Sequence, residues 1–331
     1  MAARALTGIK PTGEPHLGNW LGAIKPALAL AEKYDTFYFI ADYHALNAVY
    51  SAEALRKHTR GIAATYLALG LDPRRSVFYR QSDIPEILEL AWILACFTPK
   101  GLMNRAHSYK DAVAKNEEAR NDPDFNVNMG LFSYPVLMAA DILMFRANVV
   151  PVGADQKQHL EIARDIAERI NHNYGEELFV LPEPRIDDQV KTIQGLDGRK
   201  MSKSYDNTIP LFLDEKPLQK RINQIVTNSQ TPEEPKDPDQ SSVFALHRLF
   251  LDGAEENRLR QQYLAGGMGW GAAKKEFFEV LNAQLRGPRM EYQRLMADPG
   301  HIDSVLAQGR DRARAEAGPY LEKIRAVIGI R

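Results

Sequence analysis

The sequence predicts an α/β protein with a doubly wound, mostly parallel sheet and a smaller all-helical region after it. Strand-like and helix-like runs alternate over the first two-thirds of the chain, which implies βαβ units. The strand signal fades after Asn207 and helical patterns take over. A glycine- and proline-bearing turn joins the first strand to the first helix, where such sheets bind phosphates.

The elements follow in order. Residues 5–9 (Ala5, Leu6, Ile9) form the first strand. A helix over 17–33 comes next, with Leu17, Leu21, Ile24 and Leu28 on one face. Residues 36–41 carry Phe37-Tyr38-Phe39-Ile40, apolar throughout, as in a strand covered on both faces. A helix over 52–69 is closed by Gly70, and Asp72-Pro73 marks the next turn. Residues 76–80 form a strand and 86–97 a helix that is apolar on more than one face. A helix over 135–145 begins at Pro135, which suits a first turn. A strand over 149–152 and a helix over 158–171 complete the alternation. Residues 228–242 read as a polar linker with Pro232, Pro235 and Pro238 among acids. Helices are expected over 243–252, 255–264, 271–286, 289–298, 302–316 and 320–328. This divides the chain into a nucleotide-binding domain, 1–207, and a helical domain, 208–331, whose last helix would pack back on the first.

A length of 331 residues is enough for two domains and a sizeable core. The net charge of −1 excludes a polycation, so any nucleic-acid contact must come from local patches. Candidates are Arg286, Arg289 and Arg294, then Arg310, Arg312 and Arg314. The single cysteine, Cys96, lies in an apolar stretch and reads as a core residue of a reduced, cytoplasmic protein. The eight histidines are scattered without cysteine partners, so no metal site is expected. Neither a signal peptide nor a membrane-spanning run is visible.

Two segments suit a polyphosphate. Lys200-Met201-Ser202-Lys203-Ser204 sits in a loop flanked by Gly195 and Gly198. Its two ammonium groups would neutralise a polyphosphate leaving group, and Ser202 and Ser204 add neutral donors; the alternative is a solvated charged loop. Thr7-Gly8-Ile9-Lys10-Pro11-Thr12-Gly13-Glu14-Pro15-His16-Leu17-Gly18-Asn19 is a strand, a turn and a helix start. The helix N-terminus offers N–H groups and partial positive charge to an anion. Gly18 would let a base or ribose approach the backbone, and His16 and Asn19 share a face toward phosphate or ribose. An ordinary packing glycine is the alternative.

A third segment, Tyr134-Pro135-Val136-Leu137-Met138-Ala139-Ala140-Asp141, places one carboxylate on an apolar helix, with Met138 on the same face. Burying that acid unpaired is costly. It is either bonded to a neighbouring strand or a specificity acceptor for a ring N–H, with Met138 packed on the ring.

The first two segments resemble the HIGH-type and KMSKS signatures of class I aminoacyl-tRNA synthetases, with Asn19 in the last place of the first. The third resembles the corresponding helix of the bacterial tryptophanyl branch, whose tyrosyl relatives bind a phenol instead. The resemblance implies ATP-dependent activation of L-tryptophan and transfer to tRNA(Trp), with Mg²⁺ bound mainly through phosphates, and a homodimer. It implies catalytic roles for Lys200, Lys203, His16 and Asn19. ATP would meet Lys10, Pro11, Thr12, His16, Gly18, Asn19, Gly153, Ala154, Asp155, Ile193, Lys200, Met201, Ser202, Lys203 and Ser204. Tryptophan would meet Leu6, His44, Tyr134, Met138, Asp141, Val150, Val152 and Gln156. His44 is equally readable as a capped loop histidine. The chain departs from the family pattern at Lys10 and Tyr43, where glutamine is common, and in residues 191–198. A catalytically silent tRNA-binding paralogue is the reading from a different class; the intact lysine loop and Asp141 count against it.

Overall fold

The computed structural model describes residues 3–153, 156–185 and 193–330. Five parallel strands lie in the order β3-β2-β1-β4-β5: β1 Arg4–Ile9, β2 Asp35–Ile40, β3 Val77–Arg80, β4 Val149–Pro151 and β5 Glu183–Arg185. The winding direction changes between β1 and β4, which opens a ligand crevice at their C-terminal ends. The α/β class and parallel sheet agree with the sequence. Strand β5 was not expected: Glu-Pro-Arg has no apolar alternation, and Pro184 is tolerated there because the strand lies at the sheet edge.

β2 is buried from Thr36 to Ile40, and its side chains alternate between two cores. Phe37 and Phe39 join Leu6, Val77 and Tyr79 against the helices Pro85–Phe97, Met129–Met144 and Lys157–Tyr174. Tyr38 and Ile40 face Ile24, Ile62, Tyr66 and Leu306 on the other side. Gly8 opposes Phe39 in register, and a Cβ there would fall 2.3 Å from the Phe39 ring.

A third apolar cluster gathers Ile209, Leu211, Leu218, Ile222, Phe244, Phe277 and Leu281, and it also takes in Leu17 and Met201. Each phosphate motif therefore drives one apolar side chain into the same core. The last helix, Pro299–Ile328, runs along β3 and covers that edge. A Cβ at Gly309 would fall 1.7 Å from the Phe78 carbonyl oxygen, and Arg312 Nη1 donates to the carbonyls of Pro73 and Ser76.

Several local expectations are corrected. The segments expected over 271–298 form one helix, Trp270–Ala297, and those over 302–328 form one helix, Pro299–Ile328. Pro288 and Pro319 lie inside them. Burial of Leu281, Leu285 and Leu295 on one side of Pro288 and the other holds the helix through the lost backbone bond. Pro135 lies mid-helix rather than at the start, because Asn128 caps the turn before it: Leu131 N–H donates to Asn128 Oδ1 at 2.7 Å. The first helical segment is interrupted by a π turn over Trp20–Ile24. The helices Lys100–Met103 and His107–Glu118 were missed; the second buries no residue, so its sequence lacks an apolar stripe. Cys96 is exposed, not in the core, because it shares the outer face of its helix with Trp92 and Leu88. No helix among the described residues is long and apolar enough to cross a membrane.

Candidate active site

The turn after β1 is shaped by Gly13, whose φ of +132° favours glycine. A Cβ at Gly13 would lie 2.8 Å from Lys203 Nζ, so the lysine loop reaches onto this turn. His16 then caps the following helix. Its Nδ1 accepts from Asn19 N–H at 3.3 Å, and Asn19 Oδ1 accepts from His16 N–H at 3.1 Å. This reciprocal box usually employs a hydroxyl and a longer acid or amide. Because Nδ1 accepts, the neutral ring carries its proton on Nε2. Burial, and then the nearby Lys203 ammonium, lower the His16 pKa to about 4. His16 is thus a neutral N–H donor at pH 7, and Asn19 keeps its amide N–H₂ for a ligand.

Gly18 is closely packed between the two motifs. A Cβ there would meet the His16 ring at 3.1 Å and Met201 Cβ at 3.4 Å, and its N–H donates to Met201 Sδ at 3.3 Å. His16 and Met201 therefore pack closely against the Gly18 backbone.

The lysine loop is a hairpin-like turn. Met201 N–H donates to Ile193 O at 2.8 Å and Gly195 N–H to Arg199 O at 2.7 Å. Its organiser is Asn207, buried and missed in the sequence. Asn207 Oδ1 accepts from Ser202 N–H, while Nδ2 donates to Asp197 Oδ1 and Lys200 O. Gly195 makes room for it: a Cβ would fall 2.3 Å from Asn207 Nδ2. Ser202 Oγ accepts from Ser204 N–H and caps the turn bearing Lys203. Leu17 N–H donates to Ile209 O at 2.8 Å and Leu211 N–H to Pro15 O at 3.2 Å, which sutures the first motif to the chain just past the second. Lys200 and Lys203 keep solvent access. Desolvation lowers the Lys203 pKa, and Glu14 opposes that shift. The donor set is therefore ammonium, imidazole N–H, amide and hydroxyl, which matches phosphate oxygens. Pro11 is buried in the turn, Thr12 and Lys10 are exposed on it, and Gly153 is exposed just past β4. Ala154 and Asp155 lie outside the described residues.

The other half of the site is a buried side-chain network. Asp141 is 0% exposed. Gln81 Nε2 donates to its Oδ1 at 2.8 Å and its Oδ2 at 2.9 Å, and His44 Nε2 donates to Oδ2 at 2.9 Å. Burial raises the Asp141 pKa; the bonds from His44 and Gln81 pull against that rise. The acid is paired with side chains from the segments just past β2 and β3, an arrangement compatible with both sequence alternatives. Half-buried Met138 stands one turn earlier on the same helix. Asp42 accepts from Ser82 N–H at 3.0 Å and from its hydroxyl, so the ends of β2 and β3 are clasped.

The edge of the Tyr134 ring meets the His44 ring, centroids 6.0 Å apart. Tyr134 Oη donates to His159 Nε2 at 2.8 Å, and His159 Nδ1 donates to Gln156 Oε1 at 3.0 Å. Tyr134 and Gln156 are thereby joined through His159, a buried residue that the sequence reading overlooked. Leu6 and Val150 are buried on adjacent strands, with Val152 half-buried. Gln81 and His159 carried one weak signal each: a polar residue directly after an apolar strand, and a histidine at the buried start of a helix.

The surface arginines are largely committed elsewhere. Arg289 is buried and donates to Asn282; Arg294 pairs with Glu291, Arg310 with Asp311 and Arg314 with Glu86. A cavity of about 340 Å³ lies apart, lined by Phe97, Leu102, Arg105, Asp165 and Arg169, and shares no residue with this site.

A family model described as tRNA synthetases class I (W and Y) matches residues 1–286. A tryptophan–tRNA ligase of Neisseria meningitidis is 54% identical over 99% of this chain and 98% of its own. One from Pseudomonas aeruginosa is 52% identical, over the whole chain and 75% of its own length. Among solved structures, tryptophanyl-tRNA synthetase from Campylobacter jejuni complexed with ADP and tryptophan superposes with a TM-score of 0.91. It is 47% identical and the match covers 98% of this chain and 99% of that one.

Proposed function

Because the chain belongs to the class I tRNA synthetases of the tryptophan and tyrosine type, we infer that it activates L-tryptophan with ATP and charges tRNA(Trp). The tryptophan carboxylate attacks the α-phosphorus in line, pyrophosphate leaves, and the tRNA 3′-terminal hydroxyl then attacks the activated carbonyl, releasing AMP. No protein nucleophile is needed in the first step, so catalysis rests on positioning and on charge stabilisation. The observation that supports tryptophan most is Asp141, a buried carboxylate on an otherwise apolar helix. Met138 would pack on the indole, and Asp141 would accept its N–H.

Lys203, over Gly13, would follow the β- and γ-phosphates with Lys200, and the His16 Nε2–H and Asn19 amide would bond phosphate or ribose. Lys10, Pro11, Thr12, Gly18, Gly153, Ile193, Met201, Ser202 and Ser204 would complete the ATP contacts, together with Ala154 and Asp155. The donors here suit phosphate rather than a cation cage, so Mg²⁺ would arrive on the nucleotide, held mainly by phosphate oxygens. Tyr134 and Gln156 would hold the α-amino and carboxylate groups, with Leu6, His44, Val150 and Val152 lining the amino-acid side.

Residues 1–207 would then bind ATP and tryptophan, and 208–331 the tRNA anticodon. Arg286 is exposed in that region and makes no ion pair among the described residues. A homodimer is supported by an outward apolar stripe on Pro85–Phe97, where Leu88, Trp92 and Cys96 are exposed at four-residue spacing and Trp92 is 73% exposed. ATP and tRNA as substrates support a cytoplasmic enzyme. ATP–pyrophosphate exchange, run with tryptophan and tyrosine in parallel, tests the reading. Exchange with tryptophan alone is expected; exchange with neither would leave a silent paralogue.

A further inference from the structure

We propose that Gln81 is the positioning residue that makes Asp141 a fixed, single-vacancy acceptor for a ring N–H. The proposal rests on the tryptophan reading above and adds the group that sets its selectivity. Gln81 leaves the C-terminal end of β3, while Asp141 comes from the Met129–Met144 helix, 60 positions later. Gln81 is 0% exposed. Its Oε1 accepts from Tyr43 N–H at 3.2 Å, which fixes the amide orientation and turns Nε2 onto both carboxylate oxygens. His44 adds a third bond, to Oδ2.

A carboxylate offers about four lone-pair sites. Three are filled by these donors, which leaves one, on Oδ1. Neither donor is a carboxylate or an ammonium, so the acid is oriented without an ion pair from a lysine or arginine. The same amide that aligns Asp141 also anchors the backbone next to His44, so losing it frees both the acceptor and its second donor. The titratable groups around Asp141 are His44 and Asp42 from the segment after β2, and Tyr79 from β3. Asp42 is turned toward Ser82, and the Tyr79 hydroxyl makes no hydrogen bond among the described residues.

Two variants separate this role from simple packing. Gln81→Met keeps the volume and removes the donor. Its KM for tryptophan should rise about tenfold or more, the size of a lost hydrogen bond to a charged group. The KM for ATP should hold, and the preference for tryptophan over N1-methyl-tryptophan should narrow. The acid limb of tryptophan binding should also move to higher pH, because Asp141 has lost a bond that favours its charged form. Gln81→Glu keeps the shape. While the introduced carboxyl is protonated it still donates to Asp141; once ionised it repels that acid. This variant should therefore bind tryptophan at low pH and lose it as pH rises, the opposite of Gln81→Met.

Unshifted pH limbs with unchanged N1-methyl discrimination in either folded variant would overturn the proposal. If Gln81→Met does not fold, Gln81→Glu decides alone. If the unaltered enzyme accepts N1-methyl-tryptophan freely, or shows no tryptophan-dependent exchange, it is the underlying reading that has failed.

Discussion

The phosphate side and the amino-acid side of this site are built by different means. On the phosphate side, backbone bonds between two glycine-bearing segments do the work, and the charged groups stand in solvent reach. Leu17 to Ile209 and Leu211 to Pro15 suture the first segment to the chain just past the second, and Leu17 and Met201 share one core. On the amino-acid side the polar groups are buried, and side chains from three elements hold one another: Asp42 with Ser82, His44 and Gln81 with Asp141. A half held by backbone tolerates motion of a loop while keeping its register. A half held by buried side chains is rigid, and it loses a great deal when one partner is deleted. On the proposed roles, charge stabilisation would sit in the half held by backbone bonds, and selectivity in the half held by buried side chains.

The sharpest way to break this division is to remove its main cation. Lys203→Ala should slow tryptophan activation about 10²- to 10³-fold, as deletion of one transition-state donor does. Tryptophan affinity, measured by equilibrium binding, should scarcely move. Near-normal pyrophosphate exchange would remove Lys203 from the mechanism.

Deleting the acceptor comes next. Asp141→Ala leaves the ligand N–H unpaired at about 1–3 kcal/mol, so tryptophan should bind about tenfold to a hundredfold more weakly. Discrimination against N1-methyl-tryptophan should weaken with it. Equal discrimination in both proteins would reduce Asp141 to a structural acid.

Acid pH probes one histidine in the site and one in the helical region. Burial lowers the pKa of both His16 and His247 to about 4, from an ordinary 6.5. The unfolded chain therefore takes up these protons first as pH falls. Stability is whole above about pH 6.5 and declines toward pH 4, by up to about 3 kcal/mol for each histidine. Neither nitrogen of His247 has a partner among the described residues. His247→Leu should flatten the decline in thermal unfolding midpoint and leave exchange unchanged; an identical pH slope would refute the assignment.

The smallest effect belongs to Lys10. It is exposed on the β1 turn, so salt screens it. Lys10→Gln should shift the KM for ATP only a few-fold, and less at high ionic strength; a large, salt-independent shift would place its ammonium on the nucleotide.

The same division explains what the sequence could disclose. The α/β class was legible because β2 is apolar at successive positions and helices intervene, both local signals. The phosphate segments were legible because Gly13, His16, Lys200 and Lys203 lie in two short stretches. Gln81 and His159 were not, because each acts on residues that only folding brings near; Asn207 bonds within its own loop, to Asp197, Lys200 and Ser202, but lies past the motif and carries no charge to mark it. Gln81 meets Asp141 60 positions away, and His159 meets Tyr134 25 positions away. The packing around Gly18 was hidden for the same reason, since Met201 approaches it from 183 positions on. Proline misled at 288 and 319, where tertiary burial outweighs the missing N–H. Strand β5 was invisible because three residues at an edge need no apolar pattern.

The separation of the two halves can be measured in one assay. Tryptophan-dependent ATP–pyrophosphate exchange is run on the unaltered enzyme, Lys203→Ala and Asp141→Ala across a full range of tryptophan concentration. Lys203→Ala should lower kcat with the KM for tryptophan nearly unchanged, and Asp141→Ala should raise that KM with most of kcat recovered at saturation. The same proportional loss of kcat and rise of KM in both variants would contradict it, and would mean that the charged loop and the buried network act as one unit.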